Sequence, residues 1–192
     1  MKSINIIERT TDLALYLTIS YIKKGDICID ATAGNGEDTL MLSKACGNTG
    51  KVIAMDIQDE ALTNTKQLLD SNDINWVTLV KDNFKNMELY LPPNCYPSAI
   101  IFNLGYLPGG DKTITSETYD TISAVDKAIN LIKKDGIVTI TMYPGHQEGE
   151  KEKKALLKFS KALDSSIYHV VYLSMHNQSK KAPEILMITR KK

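Results

Sequence analysis

Short apolar runs alternate with longer amphipathic stretches along the chain. Runs rich in Ile, Val and Met predict buried strands at 27–31, 51–55, 75–80, 98–102 and 137–142. Apolar residues three or four positions apart predict helices at 37–45, 59–69, 116–132 and 151–163. Strands that alternate with helices are joined by parallel crossovers, and helices then cover both faces of the sheet. We therefore predict an α/β fold with a mostly parallel sheet.

The two ends of the chain depart from this alternation. Residues 3–23 carry apolar positions at roughly helical spacing before Gly25, which predicts a leading helix. Near the other end, 167–174 and 184–190 are β-rich runs joined by a polar loop without a helix. Such a connection permits a hairpin, so one of these strands should run antiparallel to the rest. The prediction is a seven-stranded sheet in a single domain over 1–192, with 1–24 packing on the core or forming a lid.

Composition narrows the class of protein without naming a partner. The 192 residues suit one domain, and 23 basic residues balance 23 acidic ones, so net charge favours no particular partner. The three cysteines have no C-x-x-C spacing, which argues against a disulfide framework and a zinc site. Neither a signal peptide nor an apolar run of about 18 residues is apparent, so we expect a cytoplasmic protein with no membrane partner and no metal.

The densest candidate chemistry follows the first strand, in Asp30-Ala-Thr-Ala-Gly-Asn-Gly-Glu-Asp-Thr39. Gly34 and Gly36 lack a Cβ and tolerate positive φ, so a ligand can approach the backbone at this loop. We therefore expect a small polar ligand here. Asp38 and Thr39 either serve that ligand or cap the helix that follows.

Two more acids follow neighbouring strands. Asp56 ends the second strand, where an acid can bind the vicinal hydroxyls of a ribose, and Gln58 is close enough to reach the same sugar. Asp82 and Asn83 end the third strand, although acids and amides are also ordinary turn residues. Because the carboxyl ends of parallel strands share one edge of a sheet, these side chains should gather near the glycine loop.

The glycine loop, Asp56, Asp82 and the terminal hairpin together resemble the class I S-adenosylmethionine-dependent methyltransferases, which have a seven-stranded Rossmann-like fold. The resemblance implies S-adenosylmethionine as the cofactor. It further implies that the loop holds the methionine half, Asp56 and Gln58 the ribose, and Asp82 and Asn83 the adenine. The implied cofactor-binding residues are Asp30, Thr32, Gly34, Asn35, Gly36, Asp38, Thr39, Asp56, Gln58, Asp82 and Asn83.

The stretch Phe102-Asn-Leu-Gly-Tyr-Leu-Pro-Gly-Gly-Asp-Lys112, taken with the glycine loop, is similar to a small bacterial group labelled rRNA methylases, the YtqB-like proteins. This resemblance implies a tRNA methyltransferase. The implied reaction converts the amine of 5-aminomethyl-2-thiouridine at the wobble position to the 5-methylaminomethyl form. The implied partner is the tRNA anticodon stem-loop, and a homodimer could supply basic surface that one chain lacks.

Asn103-Leu104-Gly105-Tyr106 resembles the Asn/Asp-Pro-Pro-Tyr/Phe signature of methyltransferases that act on amines. The resemblance implies that the Asn103 side-chain oxygen and the Leu104 carbonyl accept hydrogen bonds from the target nitrogen, while Tyr106 covers the base. Leu-Gly in place of Pro-Pro leaves this turn less rigid. Gly105 and Pro108 would line the substrate pocket.

Two loops with histidines complete the candidate site. His146 follows the fifth strand and is a candidate general base or substrate contact. His176, Asn177, Lys180 and Lys181 lie between the last two strands, where donors and cations suit phosphate and base contacts, although a solvated hairpin turn fits equally well. The alternative functions are methylation of rRNA or of a small amine, or a non-catalytic module that binds the cofactor or RNA.

Overall fold

The computed structural model describes residues 8–105 and 118–192. Within those ranges the strands are β1 Ile27–Asp30, β2 Lys51–Asp56, β3 Val77–Lys81, β4 Ala99–Leu104, β5 Ile137–Met142, β6 Tyr168–Leu173 and β7 Glu184–Arg190. The helices are α1 Thr10–Ile19, α2 Glu37–Cys46, α3 Asp59–Asp70, α4 Thr118–Leu131 and α5 Gln147–Lys161, with a 3₁₀ helix at Phe84–Tyr90.

The strands form one sheet in the order β3-β2-β1-β4-β5-β7-β6. Strands β1 to β5 pair in parallel, and β7 runs antiparallel to both of its neighbours, β5 and β6. The predicted mostly parallel sheet with a terminal antiparallel pair is confirmed. Strand order reverses between β1 and β4, and the crevice at the carboxyl ends of strands at such a reversal is where ligands bind in α/β sheets.

Both faces of the central strands are buried, which explains why these strands are apolar at consecutive positions. In β1, Cys28 belongs to the core on the side of α1 and α2, whereas Ile29 belongs to the core on the side of α4 and α5. Thr18 of α1 shares a buried hydrogen bond of 2.7 Å with Thr139 of β5, which fixes α1 against the sheet. In the described part of the chain, no helix is long and apolar enough to cross a membrane.

Several predicted boundaries were wrong or incomplete, and one element was not predicted. The leading helix is described only as Thr10–Ile19 rather than 3–23, and residues 1–7 lie outside the described ranges. Strand β3 begins at Val77, not at 75. Helix α5 begins at Gln147 rather than 151, because the His146 side chain caps its first turn. The 3₁₀ helix was not predicted, since so short a segment carries no helical period for a sequence pattern to reveal.

Candidate cofactor and acceptor site

The loop between β1 and α2 is built on two glycines in the left-handed region. Gly34 has φ of 52° and Gly36 has φ of 85°. A Cβ on Gly36 would lie 2.8 Å from the backbone Cα of Thr65, so no larger residue fits against α3 there. The Thr65 hydroxyl donates to the Gly34 carbonyl at 3.1 Å. These contacts hold the loop close to α3 while its other side remains at the carboxyl end of the sheet.

Asp30, the last residue of β1, is fully buried with an exposed fraction of 0%. One of its carboxylate oxygens accepts from the Thr32 amide at 3.1 Å, and the other accepts from the Thr39 hydroxyl at 2.5 Å. Burial raises its pKa to about 7, and the nearby charges of Asp38 and Asp56 add to the effect, whereas the bonds from Thr39 and Thr32 oppose it. Ionisation of the Asp30 carboxyl is therefore less favourable in the folded protein than in water.

Asp56, at the end of β2, connects the glycine loop to the start of α3. Its Oδ2 accepts from the backbone amide of Gly34 at 3.0 Å, and its Oδ1 accepts from the backbone amide of Gln58 at 3.0 Å. Asn35, at the tip of the loop, accepts at Oδ1 from the side-chain Nδ2 of Asn64 at 3.0 Å. Each Asp56 oxygen retains a second lone pair, so the carboxylate can order the loop and still accept from hydroxyls.

Asp38 and Thr39 do not cap α2. The N-cap residue is Gly36, which has no side chain to offer. Asp38 instead faces Asn103, whose Nδ2 lies 3.5 Å from Asp38 Oδ2, at the long end of hydrogen-bonding distance. Burial and then the charge of Glu37 raise the pKa of Asp38 to about 6, against the bond from Asn103. The structure therefore excludes capping by these two side chains, and their contact with a ligand stays a prediction.

Asp82 and Asn83, predicted to hold an adenine, are engaged with the 3₁₀ helix. Asp82 accepts from the Tyr90 hydroxyl at 2.7 Å and from the Asn86 amide at 2.9 Å, and these bonds lower its pKa. Asn83 Oδ1 accepts from the Lys85 amide at 3.0 Å as the cap of that helix. Their side chains therefore have a structural role, and their contact with an adenine stays a prediction.

Asn103, near the end of β4, is held at three atoms. Its amide nitrogen donates to the Thr32 hydroxyl at 2.8 Å, which joins β4 to the glycine loop. Its side-chain Oδ1 accepts from the Tyr143 hydroxyl at 2.7 Å. Its carbonyl accepts from the Gly105 amide at 2.9 Å, closing a tight turn around Leu104. The backbone bond gives this turn a constraint in place of the two prolines that the resembling signature carries.

His146 occupies the N-cap position of α5. Its Nδ1 accepts from the Gly149 amide at 3.1 Å. In the neutral tautomer that makes this bond, the hydrogen sits on Nε2, so the imidazole has no free lone pair with which to take a proton. This arrangement argues against the role of general base, and a substrate contact by His146 stays a prediction. Tyr106 and Pro108 lie outside the described residues.

The loop between β6 and β7 carries the predicted basic contacts on its surface. His176, Asn177, Lys180 and Lys181 are all exposed. The loop lies against Gly145, since a Cβ on that residue would be 3.4 Å from the Lys181 carbonyl. This contact brings the loop beside His146, so two regions predicted separately from the sequence are neighbours.

The site as a whole is electronegative. Asp30, Asp38 and Asp56 surround one loop, and the charges of the latter two each oppose ionisation of Asp30. Among the residues that the structure describes, no group of His, Cys, Asp and Glu could hold a metal ion. A ligand with cationic centres would relieve this repulsion, whereas an anion would increase it. The donor set thus fits a small cationic molecule that also presents hydroxyls.

Tyr143 is the site residue that the sequence did not reveal. It follows β5, whose Thr141 is in register with Asn103 of β4. The sequence could have indicated Tyr143 only as an aromatic hydroxyl directly after β5, the strand that neighbours Asn103. This signal was weak because the pairing of β4 with β5 must be known before the two residues can be brought together.

Comparison with known proteins assigns the chain to a family. Residues 52–189 match the family described as "Putative rRNA methylase". The chain belongs to this family. The group that the glycine loop and the 102–112 stretch resemble is therefore confirmed.

Three relatives extend the likeness over most of the chain. An Arabidopsis thaliana protein described as "tRNA (mnm(5)s(2)U34)-methyltransferase, chloroplastic" is 35% identical over 180 residues, covering 89% of this chain and 66% of that protein. A crystal structure from Clostridium thermocellum, described as a "putative rRNA-methylase", is 36% identical with a TM-score of 0.91, covering 95% of this chain and 98% of that one. A Streptococcus mutans structure, described as a "putative methyltransferase" in complex with SAH, is 32% identical with a TM-score of 0.83, again covering 95% and 98%.

Proposed function

We propose that this chain is an S-adenosylmethionine-dependent N-methyltransferase that converts 5-aminomethyl-2-thiouridine at the tRNA wobble position to 5-methylaminomethyl-2-thiouridine. The observation that carries the proposal is the placement of Asn103, whose side-chain Oδ1 accepts from the Tyr143 hydroxyl and whose backbone amide donates to Thr32 of the loop that would hold the cofactor. The description of the Arabidopsis relative supports the choice of substrate. The family description keeps rRNA as the second candidate.

The residues of the β1–α2 loop fit the cofactor by charge and shape. S-adenosylmethionine supplies a methyl group on a sulfonium centre and also carries an ammonium group. Asp30, Asp38 and Asp56 provide negative charge for these centres, and the bare backbone at Gly34 and Gly36 admits the methionine portion. Asp56 retains lone pairs for the ribose hydroxyls, with Gln58 beside it. The SAH-bound structure from Streptococcus mutans supports S-adenosylmethionine as the cofactor.

The acceptor side needs alignment more than a dedicated base. An alkylamine with a pKa near 10.4 costs roughly 4 kcal/mol to deprotonate at pH 7.4, and burial beside a second cation lowers that cost. Asn103 Oδ1 and the Leu104 carbonyl would hold the neutral nitrogen by its two hydrogens, which leaves its lone pair free to attack. As the N–C bond forms, the bond between the methyl carbon and the sulfonium sulfur would break with its electron pair staying on sulfur, and the resulting ammonium would then lose a proton to water or to a carboxylate of the site.

The RNA surface is proposed along the carboxyl edge of the sheet. His146 and the exposed residues His176, Asn177, Lys180 and Lys181 form its described part, beside the end of β5. Lysines at this edge would bind the phosphates of an anticodon stem-loop, whereas histidine and asparagine could contact unstacked bases. A homodimer that widens this basic surface is part of the proposal.

The substrate is tested with labelled cofactor. The protein and methyl-labelled S-adenosylmethionine are incubated in three parallel reactions, with bulk tRNA, with rRNA or with small amine metabolites. The RNA is then digested, and the labelled nucleoside is identified. We expect label in tRNA only, in 5-methylaminomethyl-2-thiouridine. Label confined to rRNA or to a metabolite would refute the tRNA assignment while keeping the methyltransferase.

Cofactor binding by Asp56 is tested by thermal stabilisation. At a concentration about 100 times its Kd, the cofactor should stabilise the folded state by about 2.7 kcal/mol, which corresponds to a Tm increase of roughly 5 to 10 °C. The Asp56→Ala variant should lose this increase, because both the ribose contact and the bond to the loop amide are gone. The matched control is Asp59→Ala, which removes an exposed carboxylate from the same turn, paired only with Lys81 at the surface. An undiminished Tm increase in Asp56→Ala would contradict the assignment.

A further inference from the structure

Tyr143 and Asn103 form a pair at the acceptor end of the site. The Tyr143 hydroxyl donates to Asn103 Oδ1 at 2.7 Å, across the adjoining ends of β4 and β5. The phenol is partly buried, and burial raises its pKa, so the hydroxyl keeps its proton throughout the physiological range. The bond to Asn103 therefore has a permanent donor.

Asp38 decides which way round the Asn103 amide lies. Its carboxylate can only accept at neutral pH, so the amide presents Nδ2, and not Oδ1, to the oxygen that lies 3.5 Å away. Reversing the amide would place two acceptors face to face there, and this repulsion disfavours the reversed orientation even though the Tyr143 hydroxyl could accept from an NH₂ group. The network thus has one favourable sense, in which Oδ1 keeps one lone pair for Tyr143 and one for a ligand.

The Tyr143 ring also restrains the turn after Asn103. A Cβ on Gly105 would lie 3.2 Å from Tyr143 Cε2, so the ring packs directly against the glycine backbone. The Gly105 amide in turn bonds to the Asn103 carbonyl at 2.9 Å. One side chain therefore contacts both the acceptor side chain and the backbone turn that carries the Leu104 carbonyl.

We propose that Tyr143 is a positioning residue, which orients Asn103 Oδ1 and the Leu104 turn towards the nitrogen that is methylated. This inference rests on the proposed function, because it assigns the free lone pair of Oδ1 to the target amine. Tyr143 itself does not touch the reacting atoms. Its effect passes through Asn103, and the loss of the hydroxyl should appear in the rate of transfer rather than in cofactor binding.

The test removes only the hydroxyl. In the full chain, Tyr143→Phe should lower the single-turnover rate of methyl transfer to tRNA carrying 5-aminomethyl-2-thiouridine by about 10-fold, since a displaced acceptor misaligns the amine. The Kd for S-adenosylmethionine should change by less than about 2-fold, because the residues that hold the cofactor are intact. In an Asn103→Ala background, adding Tyr143→Phe should cause no further loss. The matched control, Tyr168→Phe, removes a hydroxyl at the opposite end of the sheet and should leave the rate unchanged.

Two kinetic outcomes would overturn the inference. One is a Tyr143→Phe rate within about 2-fold of the parent, and the other is a full additional loss in the Asn103→Ala background. A readout independent of the substrate is the side-chain amide resonance of Asn103 in protein labelled with ¹⁵N-asparagine. Tyr143→Phe should shift this resonance more than that of any other asparagine, and an unmoved resonance would refute the inference. Failure of the parent protein to methylate tRNA would instead refute the proposed function.

Discussion

Replacing Asn103 with alanine should slow methyl transfer by about 10²-fold or more while the Kd for S-adenosylmethionine stays within about 3-fold of the parent value. The side chain supplies the acceptor proposed for the target amine, and its short bond is to Tyr143 at 2.7 Å, whereas Asp38, one of the carboxylates proposed to face the cofactor, lies at the longer distance of 3.5 Å. The bond between β4 and the loop uses the Asn103 backbone and survives the substitution. Single-turnover rates and equilibrium cofactor binding, measured on the same preparations, separate the two effects.

Stability must be followed in the same variant. Removing the amide takes from the Tyr143 hydroxyl and the Asp38 carboxyl the side-chain partner that each has among the described residues, which should cost about 1 to 3 kcal/mol. The matched control is Asn72→Ala, which deletes an exposed amide at the end of α3, bonded to Leu68 and Lys44. Equal losses of rate and cofactor affinity in Asn103→Ala would make this residue a structural support of the site, contrary to the proposed role.

Replacing Asp30 with asparagine should stabilise the free protein at pH 8. The pKa of about 7 in the folded state lies above the value of about 4 expected in the unfolded chain. The folded state therefore retains a proton that the unfolded state releases, so stability linked to Asp30 is fully present below about pH 4 and is lost as pH rises through about 7. A neutral amide avoids the buried charge, and we expect a gain of about 1 to 2 kcal/mol at pH 8, declining towards pH 4.

The same substitution should weaken cofactor binding by at least about 10-fold, because a cationic ligand loses one of its three carboxylates. Tm values with and without S-adenosylmethionine, recorded from about pH 5 to pH 8, measure both effects. Asp70→Asn is the control, since it neutralises an exposed carboxylate paired with Lys66 and should change neither quantity appreciably. A lower Tm for Asp30→Asn at pH 8 would mean that the bonds from Thr32 and Thr39 outweigh the cost of burying the charge.

The sequence was most informative where burial on both faces of the sheet dictates the residues. Strands β2 and β5 could be located within a residue, because both faces of each need apolar side chains and the runs are continuous. The loop of Gly34 and Gly36 could also be recognised from the sequence. The left-handed φ values favour glycine at both positions, and the approach of Thr65 leaves no room for a side chain at Gly36. The antiparallel terminal pair followed from the shortness of the loop that joins β6 to β7.

The sequence was least informative where a side chain has two plausible partners. Asp82 could bind a ligand or support a turn, and only the positions of Tyr90 and Asn86 reveal that it supports the 3₁₀ helix. His146 was predicted as a general base or a substrate contact, and its bond to Gly149 as the cap of α5 was not predicted, because it depends on where α5 begins. The pairing of Tyr143 with Asn103 joins residues from separate strands, and no local pattern encodes such a contact.

The position of β7 has a consequence for how the protein is made. This strand follows β6 in the chain, yet it lies between β5 and β6 in the sheet. During synthesis the ribosome therefore delivers β6 before the strand that connects it to the rest of the sheet. Until β7 is inserted, β6 has no neighbouring strand in the sheet, and it carries the side chains Val170 and Val171, which are exposed in the folded protein. Unpaired strands of this kind are prone to pair with other chains. A nascent chain that stalls between β6 and β7 thus exposes an aggregation-prone strand, which the finished fold pairs along one side.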